Sequence, residues 1–377
     1  MRVDSIVITI YSHPEFYPPT LNLIDELSVK FDKIYVLSRN VSDSKWKYPH
    51  NSNLILIGKK MGIRDSEKVN YFSKLISFFS YTFSLWKLCF FNTPKYIILC
   101  DPIPTLSFYL ISPFLSKSIK IWYHNHDVLE FQNVKKFSIS WFSHFSEKAL
   151  FNKLAIFTLP SEERTKHFPV NLFGKYYFLP NYPRVQYYSK FKKATSNVSE
   201  IRLLFQGTIS PGHGLEQIID SLAMSINNKK LVLVIKGSCS ESYKADLLLR
   251  AKNNNVIKHL EFQNFSHYSE IPKLMSRCQI GIGIYTSRNV NHMTSGTASN
   301  KIFEYAAMGL PVLLFDNKYF NNHFLKYKFC AFTNLHQTDI LEKIKYLDDN
   351  FDYFSSNALE KFNSELNYEN YFKKIEL

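Results

Sequence analysis

Lys301 and Glu304 stand three residues apart in the run Ala298 to Val312, where Ile302, Tyr305 and Ala306 recur at helical spacing. On a helix of about three turns they share one face, near the N-terminal end. Free backbone N–H groups and the positive end of the helix dipole attract anions there. An ammonium at such an end suits a diphosphate, and a carboxylate one turn on suits a ribose diol, since it can accept two hydroxyl hydrogen bonds. An ordinary solvated Lys–Glu pair would leave the same spacing. A second group lies in Leu204 to Glu216, where Gly207, Gly212 and Gly214 separate a strand from a helix beginning near Gly214. Glycines let backbone N–H groups approach a phosphate, and the helix start adds partial positive charge; a plain turn has the same composition. The third group, Trp122 to Glu130, holds His124, His126 and Asp127 just after a strand. In open α/β sheets that position holds ligands. His–x–His–Asp can also ligate zinc, and a structural histidine beside a helix-capping aspartate is the plain alternative.

These groups need elements to carry them. Strands are expected at Ser5–Ile10, Lys33–Leu37, Leu54–Ile57, Tyr96–Cys100, Ile119–Tyr123 and Ala155–Leu159. Helices are expected between them over Leu21–Phe31, Tyr71–Phe91, Thr105–Leu115 and Trp141–Asn152. The alternation predicts a doubly wound parallel sheet. Leu179-Pro-Asn-Tyr-Pro183 ends the pattern, and the polar, basic stretch 184–200 reads as a linker. Alternation restarts at Ile201–Gln206 and continues with strands at Leu231–Lys236, His259–Phe262, Ile280–Ile284 and Val312–Phe315. Gly309 is placed to stop the 298–308 helix in a left-handed conformation, with Pro311 blocking continuation. The division is therefore a first domain of residues 1–183, a linker of 184–200 and a second domain of 201–363.

Composition narrows the function. Hydrophobic content of 45% and aromatic content of 16% supply large cores and exclude a disordered chain. Five scattered cysteines, never in a C-x-x-C pair, read as reduced thiols without a disulfide framework or zinc site. Net charge is +14, and about +9 of it falls in residues 1–185. Such a surface suits anionic lipid or a phosphorylated acceptor. No arginine-rich run or nucleic-acid module appears, so nucleic acid is not an expected partner. Met1 to Asp4 leads straight into a short strand, and Leu75 to Phe91 is shorter than the roughly 20 apolar residues of a membrane span. A cytoplasmic protein, peripheral at the inner face of the plasma membrane, is the expectation.

Ser299-Asn300-Lys301-x-x-Glu304-Tyr305-x-Ala307-x-Gly309-Leu310-Pro311-Val312 resembles the donor-site signature of retaining glycosyltransferases of family 4 type, with the GT-B fold. The resemblance implies an α/β architecture of two Rossmann-like, doubly wound parallel-sheet domains facing across a cleft. It also implies a C-terminal helix, about 364–377, crossing back to the first domain. The implied activity is transfer of a sugar from a nucleotide-diphosphate sugar to a hydroxyl of a glycan or lipid-linked acceptor, as in cell-surface polysaccharide assembly, with no metal or other cofactor. By the same resemblance Glu304 binds the donor ribose. Asn300, Lys301, Gly207, Gly212, His213 and Gly214 form the donor-phosphate region, and the turn at Gly237 and loop at Phe265 hold the base. His126 would be the polar group near the reaction centre, with Asp127 orienting it or contacting the acceptor and His124 its rival by register. Two departures stand out. Many relatives carry cations where this chain has Thr208 and His213, which puts more phosphate charge on Lys301, joined by Arg288. The first glutamate of the family's E-x7-E pattern is replaced by Gly296. A non-catalytic protein of this fold and a nucleotide-sugar epimerase are the alternatives.

Overall fold

The computed structural model describes residues 4–40, 46–60, 69–263, 267–286 and 289–377. The chain divides into two compact units, residues 1–180 with 371–377, and residues 181–370.

In the first unit, β1 (Ser5–Ile10), β2 (Lys33–Arg39), β3 (Ser52–Ile57), β4 (Tyr96–Cys100), β5 (Lys120–His124), β6 (Leu154–Leu159) and β7 (Tyr176–Phe178) form one parallel sheet in the order 3-2-1-4-5-6-7. Every expected strand is present, and β7 is additional. β1 and β4 are buried along their whole length, which is why they read as unbroken apolar runs. Helices Pro18–Ser28, Pro102–Ile111 and Ile139–Leu150 begin two or three residues earlier than the apolar periodicity suggests. Prolines at the first helical positions start two of them, and Ser138 caps the third by accepting from Trp141 N. Helices Tyr71–Asn92, Pro102–Ile111 and Ile139–Leu150 share one core layer. Tyr81, Leu85, Cys89, Phe108, Ile111 and Leu150 pack with Val7, Ile97, Ile121 and Tyr123 of the sheet. From the C-terminal segment, Phe372 stacks on Trp122 and Ile375 is buried.

The second unit holds β8 (Glu200–Gln206), β9 (Ser225–Ile226), β10 (Lys229–Lys236), β11 (Leu260–Gln263), β12 (Ile280–Gly283), β13 (Val312–Phe315) and β14 (Cys330–Thr333). The order is 11-10-8-12-13-14, parallel throughout except for β9, which pairs antiparallel with β10. That hairpin turns on Asn227 and Asn228, both at positive φ, the conformation that asparagine tolerates in a two-residue turn. The stretch 184–200, expected as a linker, is folded into this unit. Tyr188 and Ala194 are buried, Ala194 N donates to Met308 O at 2.9 Å and Lys193 Nζ donates to Ala307 O at 2.9 Å. These donors satisfy carbonyls left open where helix Asn300–Ala307 ends.

That helix has eight residues, about two turns rather than three. Ala298 and Ser299 stay outside it: Asn181 Nδ2 donates to Ala298 O at 2.7 Å, and Ser299 Oγ lies 2.8 Å from Tyr285 Oη. Gly309 closes it at φ 74°, as expected. Two glycines let the helix lie close on the sheet. A Cβ at Gly281 would come within 2.3 Å of the Tyr305 ring, and one at Gly283 within 2.9 Å of Ile302.

Candidate functional site

Both sheets have a point where the strand order reverses, between β1 and β4 and between β8 and β12. Loops leave that point in opposite directions and open a crevice at the carboxyl ends of the strands. The residues singled out by the sequence gather at these two points.

In the second unit, β8 delivers Phe205 and Gln206 side by side beneath helix Asn300–Ala307. Lys301 Nζ lies 4.1 Å from the centre of the Phe205 ring and 4.4 Å from that of Tyr285. The ring faces attract the ammonium, but burial pulls its pKa down to about 7. No carboxylate faces it among the described ion pairs. Glu304, one turn on, is buried as well. Its Oε1 accepts from Tyr268 Oη at 2.7 Å and its Oε2 from Gln206 Nε2. Tyr188 Oη lies 2.9 Å from Tyr268 Oη and extends the network. Burial raises the Glu304 carboxyl to about 7 against the lowering effect of these hydrogen bonds. The two residues are thus neighbours as the spacing predicts, yet buried rather than solvated. Asn300 Oδ1, at the start of the helix, is buried without a hydrogen-bond partner.

The glycine loop leaves β8 beside the turn that ends β10. Gly207 N donates to Lys236 O at 2.9 Å and Ile209 N to Ser238 O at 2.8 Å. Gly237 has φ 147°, and a Cβ there would lie 1.7 Å from Gly207 O, so only glycine fits. Gly207, Gly212 and Gly214 also have positive φ, with Gly214 immediately before helix Leu215–Ser221. His213 is buried, with Nδ1 3.0 Å from Ile284 O. A carbonyl can only accept, so Nδ1 carries the proton. Burial and the nearby Lys301 hold the imidazole neutral, down to about 3. Nε2 is then an acceptor, so His213 braces the loop against Ile284 at the end of β12 and brings no positive charge to it. Gly296 faces His323: a Cβ at 296 would meet His323 Cδ2 at 2.6 Å. Phe265 and Arg288 lie outside the described residues.

In the first unit, the loop after β5 is held from three sides. Thr20 Oγ1 lies 3.0 Å from His126 Nε2, and the Tyr17 ring stacks on the imidazole at 5.2 Å. Asp101 Oδ1 accepts from His126 N at 2.7 Å, and Arg164 donates to His126 O. His126 and His124 are both buried, which holds their imidazoles neutral, His124 down to about 3. Each keeps one ring nitrogen without a partner, Nδ1 of His126 and Nε2 of His124. His124 Nδ1 meets Thr158 Oγ1 at 2.8 Å, which marks it as part of the sheet interior. Asp127 is the exposed member, with Oδ1 3.6 Å from Arg164. Arg164 itself is buried and orders this loop through His126 O and Asp127.

Asp101 is the functional candidate that sequence reasoning missed. It follows β4 at φ 69° and directly precedes helix Pro102–Ile111. Burial and the neighbouring Asp127 raise its carboxyl to about 8. The signal available was its place, an aspartate between a buried strand and a helix-starting proline. Among the described residues no three His, Cys, Asp or Glu side chains group as metal ligands.

Residues 188–355 match the family model of glycosyl transferases group 1, and the match spans the glycine loop, Lys301 and Glu304. The chain as a whole has the GT-B fold of glycosyltransferases. It resembles sucrose-phosphate synthase from Thermosynechococcus elongatus with 10% identity and a TM-score of 0.71, over 98% of this chain and 97% of that one. It resembles Anabaena HepE, solved with UDP and glucose, with 13% identity and a TM-score of 0.68 over 98% of each chain. It also resembles WaaG, a glycosyltransferase involved in lipopolysaccharide biosynthesis, with 13% identity and a TM-score of 0.65 over 98% of each chain. No curated protein sequence matches it.

Proposed function

We propose that this chain is a glycosyltransferase that takes its sugar from a nucleotide-diphosphate donor held in the second unit. The observation that carries the reading is Lys301, a buried amine caged by Phe205 and Tyr285 with no carboxylate paired to it among the described residues, at the strand end where the glycine loop begins. A diphosphate is the anion that such a group would welcome. As the bond between sugar and diphosphate breaks, charge grows on the leaving phosphate. Lys301 and the loop N–H groups would stabilise that charge without reorganising. Glu304, with Tyr268 and Gln206 fixing its oxygens, would meet the ribose hydroxyls. The base would lie near the turn at Gly237, and Asn300 would offer its unpartnered oxygen to the donor.

The finer reading follows the family 4 resemblance: retention at the anomeric carbon, a hexosyl group and no metal requirement. The acceptor would be a glycan or lipid-linked hydroxyl in cell-surface polysaccharide assembly, of the capsule or O-antigen kind. His126 and Asp127 would serve on the acceptor side, and the enzyme would work in the cytoplasm in contact with anionic membrane. HepE, solved with UDP and with UDP-glucose, supports the donor class. One observation favours a second reading, a non-catalytic sugar-nucleotide binder: the His323 ring fills the space that a side chain at Gly296 would enter.

The test is a thermal-shift panel with UDP, GDP, dTDP, ADP and CMP on the wild type and Glu304→Ala. A ligand at about 100 times its dissociation constant stabilises by about 2.7 kcal/mol. A selective shift that is lost in the variant supports the donor site, and silence with every nucleotide overturns it. Product analysis with and without acceptor then separates transferase from epimerase and from a silent binder.

A further inference from the structure

Helix Tyr71–Asn92 is apolar on two sides, and the protein covers only one. Phe78, Tyr81, Leu85 and Cys89 turn inward. Phe72, Ile76, Phe79, Phe83 and Phe90, spaced as one helical face, remain 50–77% exposed. The two helices beside it repeat the pattern. Thr82 Oγ1 donates to Ser107 Oγ at 3.0 Å, and Thr105 Oγ1 lies 3.1 Å from Ser146 Oγ, tying Tyr71–Asn92 to Pro102–Ile111 and the latter to Ile139–Leu150. All three pack their inner sides on the same face of the first sheet, so their outer sides look the same way. Tyr109, Leu110, Phe114, Phe137, Phe142 and Phe145 are exposed there too.

The charges on this layer have one sign. Over residues 71–92, 102–118 and 135–150 the cations are Lys74, Lys87, Lys117, Lys135, Lys136 and Lys148. The one acid in those segments, Glu147, is buried against Tyr123 Oη. A protein partner would ordinarily meet carboxylates among the cations. Aromatic rings accompanied by lysines, with no exposed acid in these three segments, match the headgroup zone of a bilayer containing anionic lipid. No helix among the described residues is long and apolar enough to cross a membrane.

We infer that this three-helix face is the surface by which the first unit docks on anionic lipid bilayers. Phe72, Ile76, Phe79 and Phe83 enter the acyl boundary, and the lysines pair with lipid phosphates. The inference locates the membrane contact of the proposed function and does not depend on the donor chemistry.

The experiment is co-sedimentation of the full chain with vesicles of phosphatidylcholine alone or of equimolar phosphatidylcholine and phosphatidylglycerol. Three proteins are compared: wild type, Phe72→Ser/Phe79→Ser/Phe83→Ser, and Lys74→Glu/Lys135→Glu/Lys136→Glu. The wild type should pellet with the anionic vesicles only and be released by salt. The lysine variant should bind more weakly by at least about fivefold per charge, and the phenylalanine variant by at least about tenfold. Matching melting temperatures and nucleotide shifts in all three proteins certify that the variants are folded and keep the donor question separate. Absence of wild-type binding, or equal binding by all three, overturns the inference. So does a wild-type dimer that the phenylalanine variant dissolves, because a second copy would then cover the face.

Discussion

Lys301 titrates near neutrality in the free protein, at about 7, because it is buried, with no carboxylate partner among the described residues. A bound diphosphate would supply that partner and return the ammonium toward its ordinary range. Binding above neutrality must then take up a proton. At about pH 8 roughly nine-tenths of the free protein carries neutral Lys301, so about 0.9 proton should be absorbed per nucleotide diphosphate bound. The dissociation constant should weaken about ninefold between about pH 8 and pH 9. The other groups around the site leave the range above about pH 8 clear. His213 is held neutral there, and Glu304, raised to about 7, is about nine-tenths ionised by about pH 8. Isothermal titration of the nucleotide selected by the thermal panel, in buffers of different ionisation enthalpy, reads the proton count directly. Lys301→Met should bind more weakly and show neither uptake nor slope. Uptake near zero in the wild type, or an unchanged slope in Lys301→Met, would refute the assignment of this lysine to the phosphates.

Gly237→Ala forces a Cβ to 1.7 Å from Gly207 O at φ 147° and should cost at least about 2 kcal/mol in denaturant unfolding. Gly207→Ala meets no atom within 4 Å, so it should cost only the backbone term, about 1–2 kcal/mol. Tyr268→Phe removes the 2.7 Å donor to Glu304. The loss, about 1–3 kcal/mol, should be larger at about pH 8, where the carboxylate is charged, than at about pH 6. The Asp101 carboxyl is raised to about 8 from 3.8, so the native chain holds the extra proton between those values. Its stabilising contribution is complete below the lower value and is lost as pH rises through the upper one. Asp101→Asn keeps the acceptor for His126 N and should flatten this part of the stability–pH curve, while Asp101→Ala should destabilise at every pH.

The strand pattern was legible because buried parallel strands are written as short apolar runs bounded by turns, and that alone set two α/β units. The three-residue β7 and the two-residue antiparallel β9 carry too few residues for a periodicity to emerge, and β14, as long as β13, mixes Cys330, Ala331, Phe332 and Thr333 without a clear apolar run. Their pairing depends on neighbours far away in sequence. At the site, Lys301, Glu304 and the glycines announced themselves through spacing. Glycine at 237 is dictated by a carbonyl 30 positions earlier in the chain, visible once β8 and β10 lie side by side.

By itself, then, the sequence determined which side chains share the helix after Asn300, where that helix stops, and the excess of positive charge. Those are consequences of local spacing, steric freedom at glycine and composition. The tertiary structure alone decided what the side chains became. Burial turned an apparent surface Lys–Glu pair into two groups poised near neutrality. A hydrogen bond to Ile284 made His213 a brace, and the fold around β5 turned Arg164 inward and brought in Asp101. Three helices sharing one sheet face aligned their uncovered aromatics into a single surface. Each of these depends on distance through space and on desolvation, which the linear order of residues does not contain.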